Sequence, residues 1–196
     1  NGPYAKRAGH DLNYEAVAGT LGMGGLAGSP PQVPAIPMAD MAGSITAVTA
    51  ILAGLLGRQQ NGEGVYIDVS LTDSLFSLMT VHLAGYLGNV QEVPAPGGVR
   101  LTGGEANYGI YETADKKHLA VAPLEPKFWE RFCQAVERPD LLGEILAMEM
   151  DPSRSVHVHG NLVKVMASRT SQEWIEVFRE IDCCVEPVTQ GKEIVE

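Results

Sequence analysis

The chain has 196 residues, 45% hydrophobic and 19% charged, a composition that excludes a disordered or fibrous protein and suffices for a core without disulfides or metals. Its 14 Lys and Arg against 24 Asp and Glu leave a net charge of -10, which repels nucleic acid and anionic lipid surfaces at long range. Cys133, Cys183 and Cys184 cannot all pair, so free thiols in a reducing, cytoplasmic compartment are expected.

Residues 9–19 read GHDLNYEAVAG, with Leu12, Ala16 and Val17 at helical spacing and Gly19 as the stop. A loop rich in Gly and Pro follows over residues 22–37. Within it Gly22-x-Gly24-x-x-Ala27 has the spacing of a dinucleotide fingerprint, but a helix precedes it and a proline-rich run follows. The fingerprint needs a strand before and a helix after, so these glycines read as a connecting loop. Asp40 opens the best helix in the sequence, predicted over residues 40–58 with the Asp40 carboxylate as N-cap. Apolar and small residues surround that helix almost completely, which predicts burial on most sides. Its most apolar part, residues 41–56, is interrupted by Ser44, Thr46, Thr49 and two glycines. It falls short of the ~20 residues of a membrane span, so no span and no membrane partner are expected. The turn Asn61-Gly62-Glu63-Gly64 ends the helix, residues 65–70 (VYIDVS) read as a strand, and Ser70 or Thr72 caps a further helix reaching Gly88. Helix, turn, strand and helix in succession is how an α/β layer is wound.

Residues 89–104, with Pro94, Pro96, Gly97-Gly98 and Gly103-Gly104, form a linker, expected to be extended. Residues 108–113 and 118–122 are strand-like and joined by Asp115-Lys116-Lys117 as a hairpin. Pro126 occupies the first position of a helix carrying Phe128, Trp129, Phe132, Cys133 and Val136. Residues 162–167 make a third helical pattern. Ser171 begins a fourth, with Trp174, Val177 and Phe178 on one face. The second half is therefore a small α+β unit with its own core. The chain opens Asn1-Gly2-Pro3 without an initiating Met or an apolar signal segment and stops at Glu196 in what looks like the start of a helix. A piece of a longer protein is expected.

Few residues offer chemistry. His10 follows Gly9 at a helix start, where nearby amides favour a neutral imidazole able to act as a base. From local pattern Asp40 is an N-cap before it is anything else, and Glu125, just ahead of Pro126, has the same plain reading. One His and two carboxylates at helix N-termini are nonetheless a set that can move protons and hold developing negative charge. His157-x-His159 has the spacing of a strand metal pair without a third ligand nearby, so no metal is expected. The vicinal Cys183-Cys184 lacks redox spacing. There is no G-x-S-x-G and no P-loop.

Residues 8–19 (AGHDLNYEAVAG), 36–58 (IPMADMAGSITAVTAILAGLLGR) and 62–75 (GEGVYIDVSLTDSL) resemble the class III CoA-transferase superfamily, the carnitine/bile-acid-inducible type. Residues 107–129 (NYGIYETADKKHLAVAPLEPKFW) and 169–188 (RTSQEWIEVFREIDCCVEPV) look like the small domain of the same family. The Gly-His-Asp and Leu-Glu-Pro runs together resemble its α-methylacyl-CoA racemase branch. The resemblance implies an α/β fold: residues 1–88 as the central part of a Rossmann-like, CoA-binding large domain, 89–104 as linker, 105–180 as a small α+β domain, and 181–196 as the start of a return segment. It implies an interlocked homodimer, with Glu125 reaching its site from the partner subunit. It also implies that an N-terminal half of the large domain, with most CoA-nucleotide contacts, precedes the chain.

Carried over by residue, the resemblance places the catalytic histidine on His10, the catalytic aspartate on Asp40 and an assisting glutamate on Glu125, with Asp11 and Tyr14 beside the thioester and pantetheine. The implied reaction is two-base 1,1-proton transfer at the α-carbon of a 2-methylacyl-CoA, with amides at the start of the Asp40 helix holding the enolate oxygen. Coenzyme A is part of the substrate and no other cofactor is called for. The alternative is CoA transfer between carboxylic acids with Asp40 as nucleophile; a second is a catalytically inactive fragment. With remote CoA contacts missing, the chain alone is expected to turn over little.

Overall fold

A computed structural model gives the fold and describes residues 2–88, 95–151 and 153–194. The chain divides into two compact units, Asn1–Pro96 and Gly97–Glu196. Together they form a mixed α/β protein, with eight α-helices and one small sheet among the described residues.

The first unit is helical among its described residues. Helix α1, Asp11–Ala18, starts where His10 is extended (φ -118°, ψ 174°) and its N–H donates to the Asn13 carboxamide at 3.0 Å. It stops at Gly19, whose φ of 96° lets its N–H turn back to the Glu15 carbonyl at 3.0 Å. The expected apolar face is corrected: α1 buries Glu15 and Ala18, while Leu12 and Val17 are exposed.

Helix α2 spans Met38–Asn61, so Asp40 is its third residue and not its cap; Pro37 holds the cap position and supplies no side-chain hydrogen bond. Its expected burial is also corrected. Ala39, Ala42 and Gly43 are buried, while Ile45, Val48, Ile51, Leu52, Leu55 and Leu56 are exposed. At 24 residues, with a window of mean hydropathy 1.6, α2 is long and apolar enough to cross a membrane by length and composition, which overturns the count made on residues 41–56 alone. The core helix of a soluble protein passes the same test.

Residues 65–70 are not a strand. A strand exists through its ladder, and no neighbour pairs with this segment among the described residues. Ser70 caps helix α3, Leu71–Leu78, by accepting the Asp73 N–H at 3.1 Å. The helix expected to reach Gly88 breaks at Met79, and α4, Thr80–Leu87, continues separately. The core of the unit is small: Ala18, Ala39, Ala42 and Leu75, flanked by Tyr14, Met38 and Leu71. A Cβ on Gly43 would run into the Leu71 side chain, so α2 and α3 meet closely because that residue is glycine.

The expected linker falls partly on residues 89–94, outside the described residues. Its remainder is not simply extended, since a turn and a single 3-10 turn at Arg100–Thr102 fold it.

The second unit carries strands β1, Gly109–Glu112, and β2, His118–Val121, as an antiparallel hairpin pairing Gly109 with Val121 and Glu112 with His118. Lys116 takes the left-handed conformation (φ 64°) that the tight turn requires. Helix α5, Pro126–Ala135, begins at proline as expected; α6, Glu144–Met150, follows. Helix α7, Arg154–Met166, starts well before the expected 162–167 and absorbs both histidines of the supposed strand pair. Two residues apart on a helix they point in different directions, and they bond separately, His157 to Asn161 and His159 to Tyr111. Helix α8, Ser171–Phe178, is capped reciprocally by Thr170 and Glu173. Strand β3, Val185–Pro187, lies in the segment expected to return to the large domain and pairs antiparallel with β2, giving the order β1-β2-β3. The core stacks Trp129 on Phe132, Phe132 on Phe178 and Phe178 on Trp174 at centroid distances of 5.5, 6.0 and 5.6 Å. The indoles of Trp129 and Trp174 donate to the Leu141 and Met166 carbonyls, each at 2.9 Å.

Candidate active site

The first unit brings the N-termini of α1 and α2 together across the loop of residues 19–37. Asp11, the neighbour of His10, accepts the N–H of Asp40 at 2.9 Å, although 29 residues separate them. One turn along α1, Glu15 accepts the N–H of Met38 at 3.0 Å. The two chemistry-bearing positions, His10 at the cap of α1 and Asp40 in the first turn of α2, therefore stand on abutting helix starts. Both side chains are exposed.

Tyr14 belongs to the same framework. Its hydroxyl donates to the Gly9 carbonyl at 3.0 Å and its ring lies under Gly9, where a Cβ would come within 3.0 Å of it. A side chain at residue 9 would push the chain off Tyr14 and move His10. Asp11 and Tyr14, expected beside the thioester and pantetheine, each hydrogen-bond the protein's own backbone.

The expected oxyanion donors need correction. Of the first three amides of α2, those of Met38 and Asp40 are bonded to carboxylates of α1. Those carboxylates also offset the positive end of the helix, so this terminus is less able to hold an enolate oxygen than an open helix start. A groove of about 480 Å³ in the first unit runs between α2 and residues 67–77, lined by Thr46, Ile67, Asp68, Ser70, Asp73 and Ser77, and does not include His10 or Asp40.

Glu125 lies in the second unit, exposed, in the extended residue that precedes α5. Its loop is held from beneath by the buried Asn107, whose Nδ2 donates to the Pro123 carbonyl at 3.1 Å. Burial pushes the Cys133 thiol up to about 12 and that of Cys183 to about 11, so neither is a nucleophile near neutral pH. No group of three His, Cys, Asp or Glu side chains converges as a metal set among the described residues.

Sequence reasoning missed Glu15 altogether. It is 1% exposed, and burial, opposed by the Met38 amide and reinforced by Asp11, raises its pKa above the usual carboxylate range. A signal was available: Asp11, Glu15 and Ala18 share one stripe of α1, and a carboxylate on the buried stripe of a short helix needs a partner.

A family model described as CoA-transferase family III matches residues 1–196. The chain is 31% identical to alpha-methylacyl-CoA racemase of Homo sapiens over 200 residues, covering 100% of this chain and 50% of the racemase. It is 31% identical to probable fatty acyl-CoA transferase Rv3272 of Mycobacterium tuberculosis over 191 residues, 91% of this chain and 48% of that protein. The crystal structure of Rv3272 superposes with a TM-score of 0.77 at 26% identity, over 100% of this chain and 52% of that one. The chain spans about half the length of the curated relatives it matches.

Proposed function

Since the chain belongs to CoA-transferase family III, we propose that it carries the catalytic pair of an acyl-CoA enzyme that epimerises the α-carbon of a 2-methylacyl-CoA by two-base 1,1-proton transfer. The observation that carries this reading is the 2.9 Å bond from the Asp40 N–H to Asp11, which sets an imidazole and a carboxylate on abutting helix starts. One removes the α-proton, whose acidity the thioester carbonyl supplies, and the other returns a proton to the opposite face, so configuration inverts. In a homodimer, Glu125 of one subunit assists His10 of the other. CoA enters as part of the substrate, and the reaction needs no further cofactor.

CoA transfer is the second reading. The Asp40 carboxylate is exposed, which leaves it as free to attack a thioester as to take a proton. The test separates the two. The chain, at substrate-level concentration, is incubated with a 2-methylacyl-CoA in deuterated water, with and without an acceptor acid and hydroxylamine. Slow deuterium entry at the α-position without an acceptor, lost in both Asp40→Asn and His10→Gln, supports epimerisation. A hydroxylamine-trapped acyl group on Asp40 supports transfer. Deuterium entry equal in the chain and in both variants defeats the epimerase reading.

A further inference from the structure

Two carboxylates do for α2 what its own cap residue, Pro37, cannot. Asp11 Oδ1 accepts the Asp40 N–H at 2.9 Å, and Glu15 Oε1 accepts the Met38 N–H at 3.0 Å. Asp11 and Glu15 are four residues apart on α1 and therefore neighbours on its surface. The remaining Glu15 oxygen, Oε2, is buried and has no partner. With both groups ionised, two negative charges would stand side by side and one carboxylate oxygen would be stripped of water with nothing to bond, which is a costly arrangement. One proton removes both faults: Oε2 becomes a donor, and the Asp11 carboxylate, on the same face, becomes its acceptor.

We infer that Glu15 and Asp11 form a proton-sharing carboxyl clasp that positions the first turn of α2, and Asp40 with it, against the His10 end of α1. Both are positioning residues, and their functional meaning rests on the acid/base reading of Asp40 above. The surroundings agree. α2 offers Glu15 a backbone amide, α3 contributes Leu75 to the apolar cluster it shares with α1 and α2, and the charged residue of α3, Asp73, is exposed. The ionisable group that bears on Glu15 is Asp11, and together with burial it favours the protonated form.

The experiment uses the whole chain and reads no turnover. Glutamate δ-carboxyls are labelled with ¹³C, and amide hydrogen exchange is followed residue by residue. The clasp requires one glutamate carboxyl that stays protonated well above the ordinary glutamate pKa of about 4.3 and vanishes in Glu15→Gln. The Met38 and Asp40 amides should exchange within about threefold of wild type in Glu15→Gln, whose oxygen still accepts from Met38 and whose Nε2 can donate to Asp11. In Glu15→Leu, which fills the space but accepts nothing, the Met38 amide should exchange at least about tenfold faster. A Glu15 carboxyl that titrates with the other glutamates overturns the shared proton, and a Met38 amide equally protected in Glu15→Leu overturns the clasp. Should Glu15→Leu fail to fold, the wild-type carboxyl resonance decides by itself. A chain that never exchanges the α-proton of an acyl-CoA would defeat the acid/base reading and leave these measurements to decide the clasp.

Discussion

Glu15→Gln should make the protein more stable, and by an amount that depends on pH. Burial raises the Glu15 pKa above its ordinary value in the folded chain, so the folded state holds this proton more tightly than the unfolded one. The corresponding stability is fully present below the unfolded value, declines as pH rises through the folded value, and stays low beyond it. Glutamine cannot titrate. The variant should therefore match the wild type in acid and exceed it as pH rises, with the gap widening until Glu15 is ionised and then levelling. The size follows from what ionised Glu15 leaves behind: an oxygen that is buried without a partner, beside a second carboxylate. Leaving one such acceptor unsatisfied costs about 1–3 kcal/mol. In a unit of roughly 100 residues each kcal/mol moves Tm by about 4–8 °C. Thermal melts of both proteins across a pH series check this. A variant less stable than wild type at every pH, or a gap that closes as pH rises, would refute the reasoning.

Phe132 is fully buried between Trp129 and Phe178, so Phe132→Ala should cost about 3–5 kcal/mol, of which Phe132→Leu recovers the larger part by refilling the space; urea unfolding of the pair measures it, and equal losses would count against the stack. A Cβ on Gly104 would sit 2.8 Å from the Val99 carbonyl oxygen and 2.9 Å from its carbon, both backbone atoms, so Gly104→Ala should destabilise by about 1–3 kcal/mol. Gly143 has open space around it and a helical φ of -75°, and Gly143→Ala should stabilise by about 0.4–1 kcal/mol in the same melts. Thiol labelling of the native protein should modify the exposed Cys184 quickly, and the buried Cys133 and Cys183 at the rate of unfolding.

The second unit was largely legible because its signals are local. Asp115-Lys116-Lys117 marks a hairpin and Pro126 a helix start, and each works within four residues. Strand β3 escaped notice for the opposite reason: a three-residue Val-Glu-Pro run becomes a strand only because β2 offers it an edge. The start of α7 was missed although Ser153 stands at its cap position, because two histidines two residues apart suggested the period of a strand.

In the first unit the sequence determined that helices form near His10 and near Asp40, that Gly19 and Gly62 end them, and which family the motifs resemble. It could not determine that residues 65–70 would lack a ladder, because strand propensity is realised only when another strand supplies hydrogen bonds. Nor could it tell that most of the apolar surface of α2 stays uncovered, because burial belongs to the neighbours and not to the helix. The site itself was the least local feature. Residue types named His10 and Asp40 as chemically able, but only the folded chain puts Asp11 against the Asp40 amide and Glu15 against that of Met38. Those bonds close a loop of more than twenty residues, and what holds such a loop shut is the cost of leaving helix amides and buried carboxylates unpaired, a cost that exists only once both helices are in place.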